Sequence, residues 1–120
     1  MAGQFRVTDP QALQLALGGD TQACLSLAEM YLASAPHTRA TLQLALARHD
    51  LAGLRRACHA LRGSAVVLGA ATLAAQLLAC ETGVAEQARL PDAAAQAALF
   101  ALLDQVDAEV ARSRQAWGRA

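Results

Sequence analysis

Residues 50–70, DLAGLRRACHALRGSAVVLGA, have the pattern of a long amphipathic helix. Asp50 is a typical N-cap residue, and Gly69 is a typical helix terminator. Between them, apolar residues recur at steps of three and four, which places them on one face of a helix. That face is formed by Leu54, Cys58, Leu61, Ala65 and Leu68. Spacing of this kind is typical of a helix that packs in a bundle.

The rest of the chain repeats this pattern on both sides. Aspartates and prolines mark helix starts, and glycines or prolines mark helix ends. The sequence predicts six helices, at about residues 10–17, 20–33, 36–48, 50–68, 70–82 and 92–116. The connections are short, so neighbouring helices should be antiparallel. We therefore expect an all-α fold, an up-down antiparallel four-helix bundle with an additional short N-terminal helix.

Composition agrees with a small helical domain. The chain has 120 residues, of which 55% are hydrophobic and only 3% aromatic. This length fits a single domain spanning residues 1–120, with its bundle core at about 20–116. All ten basic residues are arginine, which suggests a bacterial genome of high GC content. Cys24, Cys58 and Cys80 lack metal-site spacing and are interpreted as small core residues in a reducing cytoplasm.

Charge and hydropathy exclude several classes of function. The formal net charge is zero, so bulk charge predicts no nucleic-acid or membrane partner. No uncharged apolar stretch reaches the roughly 18 residues of a membrane span, and the first residues do not resemble a signal peptide. We therefore expect a cytoplasmic protein, and the lack of a further large apolar stripe favours a monomer.

His59 is predicted to face solvent. At about 100° per residue, it lies roughly 140° from the centre of the apolar face of its helix. Four residues lie near it on the same face of the helix: Arg55, Arg62, Gly63 and Val66. Arg56 lies further round the helix and is also exposed. Glycine within a helix costs about 1 kcal/mol relative to alanine, and close approach of another protein surface would justify that cost at residue 63.

The residues His59-Ala60-Leu61-Arg62-Gly63-Ser64-Ala65 resemble the signature H-x-L-K-G-S-[SA] of histidine phosphotransfer (HPt) domains of two-component phosphorelays. The resemblance continues in Leu68-Gly69-Ala70, Leu73 and Cys80-Glu81, and it covers about residues 13–110. Two positions depart from the pattern. Arg62 replaces the usual lysine, which keeps the positive charge but replaces a compact ammonium by a planar guanidinium. Leu77 replaces a cysteine in the core.

The resemblance implies a phosphoryl carrier without ATP-dependent kinase activity. His59 would accept a phosphoryl group from a phospho-aspartyl receiver domain and pass it to another. Arg62 and Arg55 would offset the charge of the phosphoryl group, and Glu81 would orient the imidazole by accepting from Nδ1–H; an ordinary surface carboxylate paired with an arginine is the equal alternative for Glu81. Receiver docking would use Arg55, Arg56, Gly63 and Val66.

The family also implies partners and cofactors. The partners would be receiver domains of response regulators and of hybrid sensor kinases. No cofactor or metal is expected in this chain, since Mg²⁺ belongs to the receiver. Two alternatives stay open: a receiver-binding module that has lost phosphotransfer, and the excised phosphoacceptor domain of a larger hybrid or chemotaxis-type kinase. The sequence does not identify the cognate kinase, the direction of phosphoryl flow or the signalling output.

Overall fold

The computed structural model describes residues 5–119, and this part of the chain is helical with short connections. Its helices are α1 (Pro10–Ala16), α2 (Thr21–Ala47), α3 (Leu51–Val67), α4 (Ala71–Gln87) and α5 (Ala93–Gly118). The four long helices form an antiparallel bundle, and α1 lies at one end against α2. The expected all-α fold, a bundle with a short N-terminal helix, is confirmed. In the described residues, no helix has the length and apolar character needed to cross a membrane.

The core of the bundle is aliphatic. The closest helix pairs are α3 with α4 and α2 with α5, whereas α4 and α5 touch only sparsely. Leu54, Leu73, Leu77 and Val106 are fully buried where these helices meet. All three cysteines are reduced and buried, which confirms their interpretation as core residues.

The predicted helix break at Pro36 is wrong, because α2 continues through it. Proline within a helix removes one backbone hydrogen bond and costs about 3 kcal/mol. Here both sides of the proline are tied to α5. The Tyr31 hydroxyl donates to Asp107 Oδ1 at 2.7 Å, and Arg39 Nη2 donates to Asp104 Oδ1 at 2.7 Å. Packing and polar contacts on both halves therefore keep one helix where local propensity predicts two.

The predicted end of the fifth helix near Gly83 is also wrong. The corresponding α4 continues to Gln87 because Val84 is a core residue whose burial requires another helical turn. The helix ends where Ala88 takes a left-handed conformation with φ of 50°. There the N–H groups of Ala88 and Arg89 donate to the carbonyls of Val84 and Gly83, so two of the last carbonyls of the helix are satisfied.

The α3–α4 connection turns at Gly69, which has φ of +68°. The Asp9 N–H donates to the Leu68 carbonyl at 3.0 Å, so the N-terminal segment crosses directly over this turn. A Cβ at residue 69 would lie 2.6 Å from the Cβ of Asp9. Both the backbone conformation and the close approach therefore require glycine at the point that sets the register of α3 against α4.

A buried carboxylate holds this N-terminal segment to α5. Glu109 accepts backbone hydrogen bonds from Arg6, Val7 and Thr8 at 2.9–3.2 Å. It also accepts a bond from the Thr8 hydroxyl at 2.7 Å. Residues 6–8, which we call the N-terminal strap, thus satisfy both oxygens of a carboxylate that would otherwise be costly to bury.

Replacing Glu109 by Gln should lower the free energy of unfolding by about 1–3 kcal/mol. The amide has one acceptor oxygen instead of two, and its NH₂ group would face the N–H donors of the strap. Urea unfolding followed by circular dichroism measures the loss. Glu86→Gln, at an exposed position of α4, is the matched control and should change stability by less than about 0.5 kcal/mol. Equal stability of the two variants would contradict the role of Glu109.

The same contribution should depend on pH. Burial alone would raise the pKa of Glu109, but the hydrogen bonds from Thr8 and the backbone outweigh it and lower the pKa. Such a carboxylate makes its full contribution to folding stability at pH values above the pKa of glutamate in the unfolded chain, about 4.3. The contribution is lost as the pH falls through the lower pKa of the folded state. The stability difference between wild type and Glu109→Gln should therefore be complete near pH 7 and vanish in acid.

Candidate functional site

His59 projects from the middle of α3 into solvent, as the helical wheel predicts. Its side chain is 72% exposed, whereas the preceding Cys58 is fully buried. Because successive helical residues are about 100° apart, the residue after Cys58 emerges at the edge of the contact between α3 and α4. The imidazole is thus carried on a rigid element and is open to a partner.

Glu81 of α4 contacts His59 from the interior side of this edge. Its side chain is only 10% exposed, and Oε1 lies 2.9 Å from His59 Nδ1. The other oxygen, Oε2, accepts a bond of 2.6 Å from Arg62 Nε. A buried carboxylate therefore connects the candidate phosphoacceptor to the arginine three residues further along α3.

Electrostatics keep this carboxylate ionised. The hydrogen bond from Arg62 lowers the pKa of Glu81 most strongly, burial opposes it, and the contact with His59 lowers the pKa further. The same ion pair raises the pKa of Arg62, which stays positively charged. Since the carboxylate only accepts hydrogen bonds, it favours the imidazole tautomer with the proton on Nδ1. In that tautomer Nε2 carries the available lone pair.

Arg62 also lies close to the ring itself. Its Nη2 is 3.2 Å from His59 Nδ1 and 3.4 Å from Glu81 Oε1. A guanidinium and a protonated Nδ1 are both donors, so in the tautomer that Glu81 favours this short contact is not a hydrogen bond, and Glu81 is the shared acceptor. The arginine, the carboxylate and the imidazole form one connected group.

The remaining predicted site residues surround His59 on the outer face of α3. Arg55 and Val66 are exposed on either side of it, and Val66 keeps 65% of its surface accessible. At Gly63 a Cβ would meet no atom within 4 Å, so its surroundings are open. Arg56 is exposed towards α2, where it borders a shallow groove with Arg48. It therefore flanks the face that the other residues share with His59.

Sequence reasoning treated contact with the imidazole and pairing with an arginine as alternatives for a surface Glu81. The structure shows both contacts, with Arg62 as the arginine and the carboxylate buried. The signal was available in the register: with α3 and α4 antiparallel about Gly69, Glu81 lies near the level of both Arg62 and His59. Within residues 5–119, no three His, Cys, Asp or Glu side chains are arranged to hold a metal ion.

A model of the Hpt domain family matches residues 26–116, which is well over half of the chain. The chain belongs to the Hpt domain family. The matched region of this Hpt domain includes α3, α4 and most of α2 and α5, with the whole group of His59, Arg62 and Glu81. Comparisons with curated proteins and with solved structures gave no match. The family resemblance is thereby confirmed, while the roles of individual residues stay predictions.

The geometry predicts the tautomer of His59. In the neutral imidazole, the proton should reside on Nδ1, because Glu81 accepts from that nitrogen. Two-bond ¹H–¹⁵N correlation spectra of the imidazole distinguish the two tautomers directly. Glu81→Ala should shift the population towards the Nε2-protonated form, and Glu86→Ala should leave it unchanged. A wild-type protein that is mainly protonated on Nε2 would rule out this orientation by Glu81.

Proposed function

We propose that this Hpt domain carries a phosphoryl group on His59 between receiver domains of a bacterial phosphorelay in the cytoplasm. The observation that carries the proposal is the exposed imidazole whose Nδ1 contacts the buried carboxylate of Glu81. This arrangement directs Nε2 outward as the nucleophile. The domain is a carrier, and the phosphoryl group comes from a partner.

The chemistry follows from what phosphoryl transfer requires. The Nε2 lone pair attacks the phosphorus of a receiver's aspartyl phosphate, the bond from phosphorus to the carboxylate oxygen breaks, and the aspartate leaves as a carboxylate. Reaction in the opposite sense on a second receiver regenerates the imidazole. Donor, phosphorus and acceptor must lie in line, so the histidine has to be exposed and rigidly held. Mg²⁺, where required, belongs to the receiver.

Positive charge beside His59 supports the proposal. A phosphoryl group carries nearly two negative charges near neutral pH. Arg62 places its guanidinium next to the ring, and Arg55 lies one helical turn before it. We propose that both offset the phosphoryl charge, Arg62 as a charge-assisted donor and Arg55 as a more distant electrostatic partner.

The open surface around Gly63 is the proposed docking site for the receiver. Glycine leaves a shallow depression one turn after His59, and the exposed Val66 supplies apolar area beside it. Arg55 and Arg56 provide charge at the edge of this surface. A receiver presents an acidic pocket around its aspartate, so a basic and partly apolar face is complementary to it.

Phosphotransfer from a panel of phosphorylated, radiolabelled receivers tests the proposal. The wild-type protein should acquire an acid-labile label, and His59→Gln should acquire none, because the amide lacks a nucleophilic ring nitrogen. His49→Gln, at an exposed histidine outside the site, is the matched control and should be labelled normally.

Other labelling results would redirect the assignment. Receiver binding without any label on the wild-type protein would overturn the carrier mechanism in favour of a receiver-binding module. Label from a chemotaxis-type catalytic domain, with none from receivers, would instead indicate the phosphoacceptor domain of such a kinase.

Gly63→Gln should separate docking from folding. The added side chain would project into the docking surface and slow transfer by about tenfold or more. It should also raise the free energy of unfolding by about 0.5–1 kcal/mol, because glutamine is a better helix former than glycine. Ala101→Gln, at an exposed site of α5, is the control and should transfer normally. Unchanged transfer by Gly63→Gln would place the docking surface elsewhere.

A further inference from the structure

Two buried cysteines face each other directly beneath the site. Cys58 lies eleven residues before Gly69 and Cys80 lies eleven residues after it. Because α3 and α4 run antiparallel from that turn, both residues lie at the same level, about 16 Å along the helices. Each belongs to the buried face of its helix. The topology alone therefore brings these thiols together.

The side chains are in contact, and only one of them borders solvent. Each thiol shifts the pKa of the other, which places the two side chains next to each other across the α3–α4 contact. Cys58 is 0% exposed, whereas Cys80 retains 9% and borders the open groove between α4 and α5. A small polar reagent can thus approach Cys80 through this groove, while Cys58 has no exposed surface.

The spacing that is usual for packed helices is compatible with a covalent bond. Helices whose axes are about 8–10 Å apart bring facing Cα atoms to about 3.5–5.5 Å. A disulfide requires Cα atoms about 4.4–6.8 Å apart, and the two ranges overlap. At this usual spacing, two cysteines that face each other across a pair of packed helices can be bridged without separating the helices.

We propose that Cys58 and Cys80 form a reversible disulfide in response to peroxide, and that this oxidation slows phosphotransfer at the adjacent His59. Cys80 is the thiol that reacts first, and Cys58 resolves the intermediate. The disulfide itself is independent of the assigned function, whereas its effect on transfer rests on the proposed phosphoryl carrier.

The oxidation proceeds in two steps. The Cys80 thiolate attacks one oxygen of hydrogen peroxide, the O–O bond breaks, and the hydroxide leaves as water after protonation, which gives a sulfenic acid. Cys58 sulfur then attacks Cys80 sulfur, the S–O bond breaks, and a second water forms with the Cys58 proton. Two thiols are oxidised by two electrons in total, and one peroxide is reduced to two waters.

The environment supports this assignment of the two sulfurs. The neighbouring Cys58 thiol lowers the pKa of Cys80, and the Cys80 thiol in turn raises the pKa of Cys58. Since the thiolate is the nucleophile, the accessible sulfur is also the one that ionises more readily.

The link to the site is the chain itself. His59 directly follows Cys58, and Glu81 directly follows Cys80. A disulfide bond is about 2.05 Å long, shorter than any contact between separate thiols. Its formation draws the two helices together at this level and shifts His59 Nδ1 relative to Glu81 Oε1, now 2.9 Å apart. A displacement near 1 Å can reduce a transfer rate by about a hundredfold.

Peptide mapping of the full chain tests the disulfide without any assumption about function. Cleavage after arginine places each cysteine in a separate peptide: Cys24 in residues 7–39, Cys58 in 57–62 and Cys80 in 63–89. After treatment with hydrogen peroxide, non-reducing mass spectrometry should find peptide 57–62 joined to 63–89 with the loss of two hydrogen atoms. Dithiothreitol should separate them. Failure to find this link, or a link through peptide 7–39, would overturn the proposal.

Phosphotransfer to the same samples tests the consequence. The reduced protein gives the reference rate. The oxidised protein should transfer at least about tenfold more slowly, and dithiothreitol should restore the rate. Cys80→Ala and Cys58→Ala should keep their reference rates in peroxide, and Cys24→Ala should respond like wild type. The disulfide with an unchanged transfer rate would overturn the coupling to His59.

An inactive reduced protein would count against the carrier function and would leave the peptide result to stand alone. If an alanine variant does not fold, the comparison of wild type before and after dithiothreitol still decides the coupling.

Discussion

α3 and α4 pack through a continuous row of small and medium apolar side chains, and the position of every site residue depends on this contact. The antiparallel register about Gly69 pairs the buried residues across it: Leu54 with Val84, Cys58 with Cys80, Leu61 with Leu77, and Ala65 with Leu73. A shift of one residue would rotate His59 about 100° from Glu81 and bring polar side chains into the core. The penalty for such a shift is what holds the imidazole and the carboxylate together. The N-terminal strap reinforces the same register, because it is fastened to α5 by Glu109 and leads into Asp9, whose N–H donates to the Leu68 carbonyl at the turn.

The buried carboxylate of Glu81 connects stability with chemistry. An isolated carboxylate at this depth would be strongly unfavourable, and the ion pair with Arg62 makes it tolerable. Its remaining oxygen is then available to the imidazole. In the proposed phosphorylated state, Arg62 would lie near two anionic groups, the carboxylate and the phosphoryl group. Competition between them would limit how strongly the phosphoryl group is held, which suits a carrier that must release it again.

The sequence was informative where local pattern and tertiary packing agree, as in α3, whose cap, apolar face and exposed histidine all have the predicted positions. It misled at Pro36 and Gly83, where residues that usually end helices lie inside them because core packing on both sides outweighs local propensity. Glu109 was missed for a different reason. It lies at helical spacing within the apolar face of α5, a position that signals a buried charge, but its partners in the strap are about a hundred residues away. Single-sequence periodicity does not contain such pairings.

The outer face of α3 is under a different constraint from its inner face. Gly63 and Val66 contact little of the bundle, so their identities are not set by packing. An exposed mid-helix glycine lowers stability by about 0.5–1 kcal/mol relative to alanine, and an exposed valine gains nothing from the core. Residues that a fold does not require, at positions where they reduce its stability, are best explained by contact with another molecule. In the proposed carrier, the inner face thus preserves the geometry of His59, and the outer face selects the receiver surface that meets it.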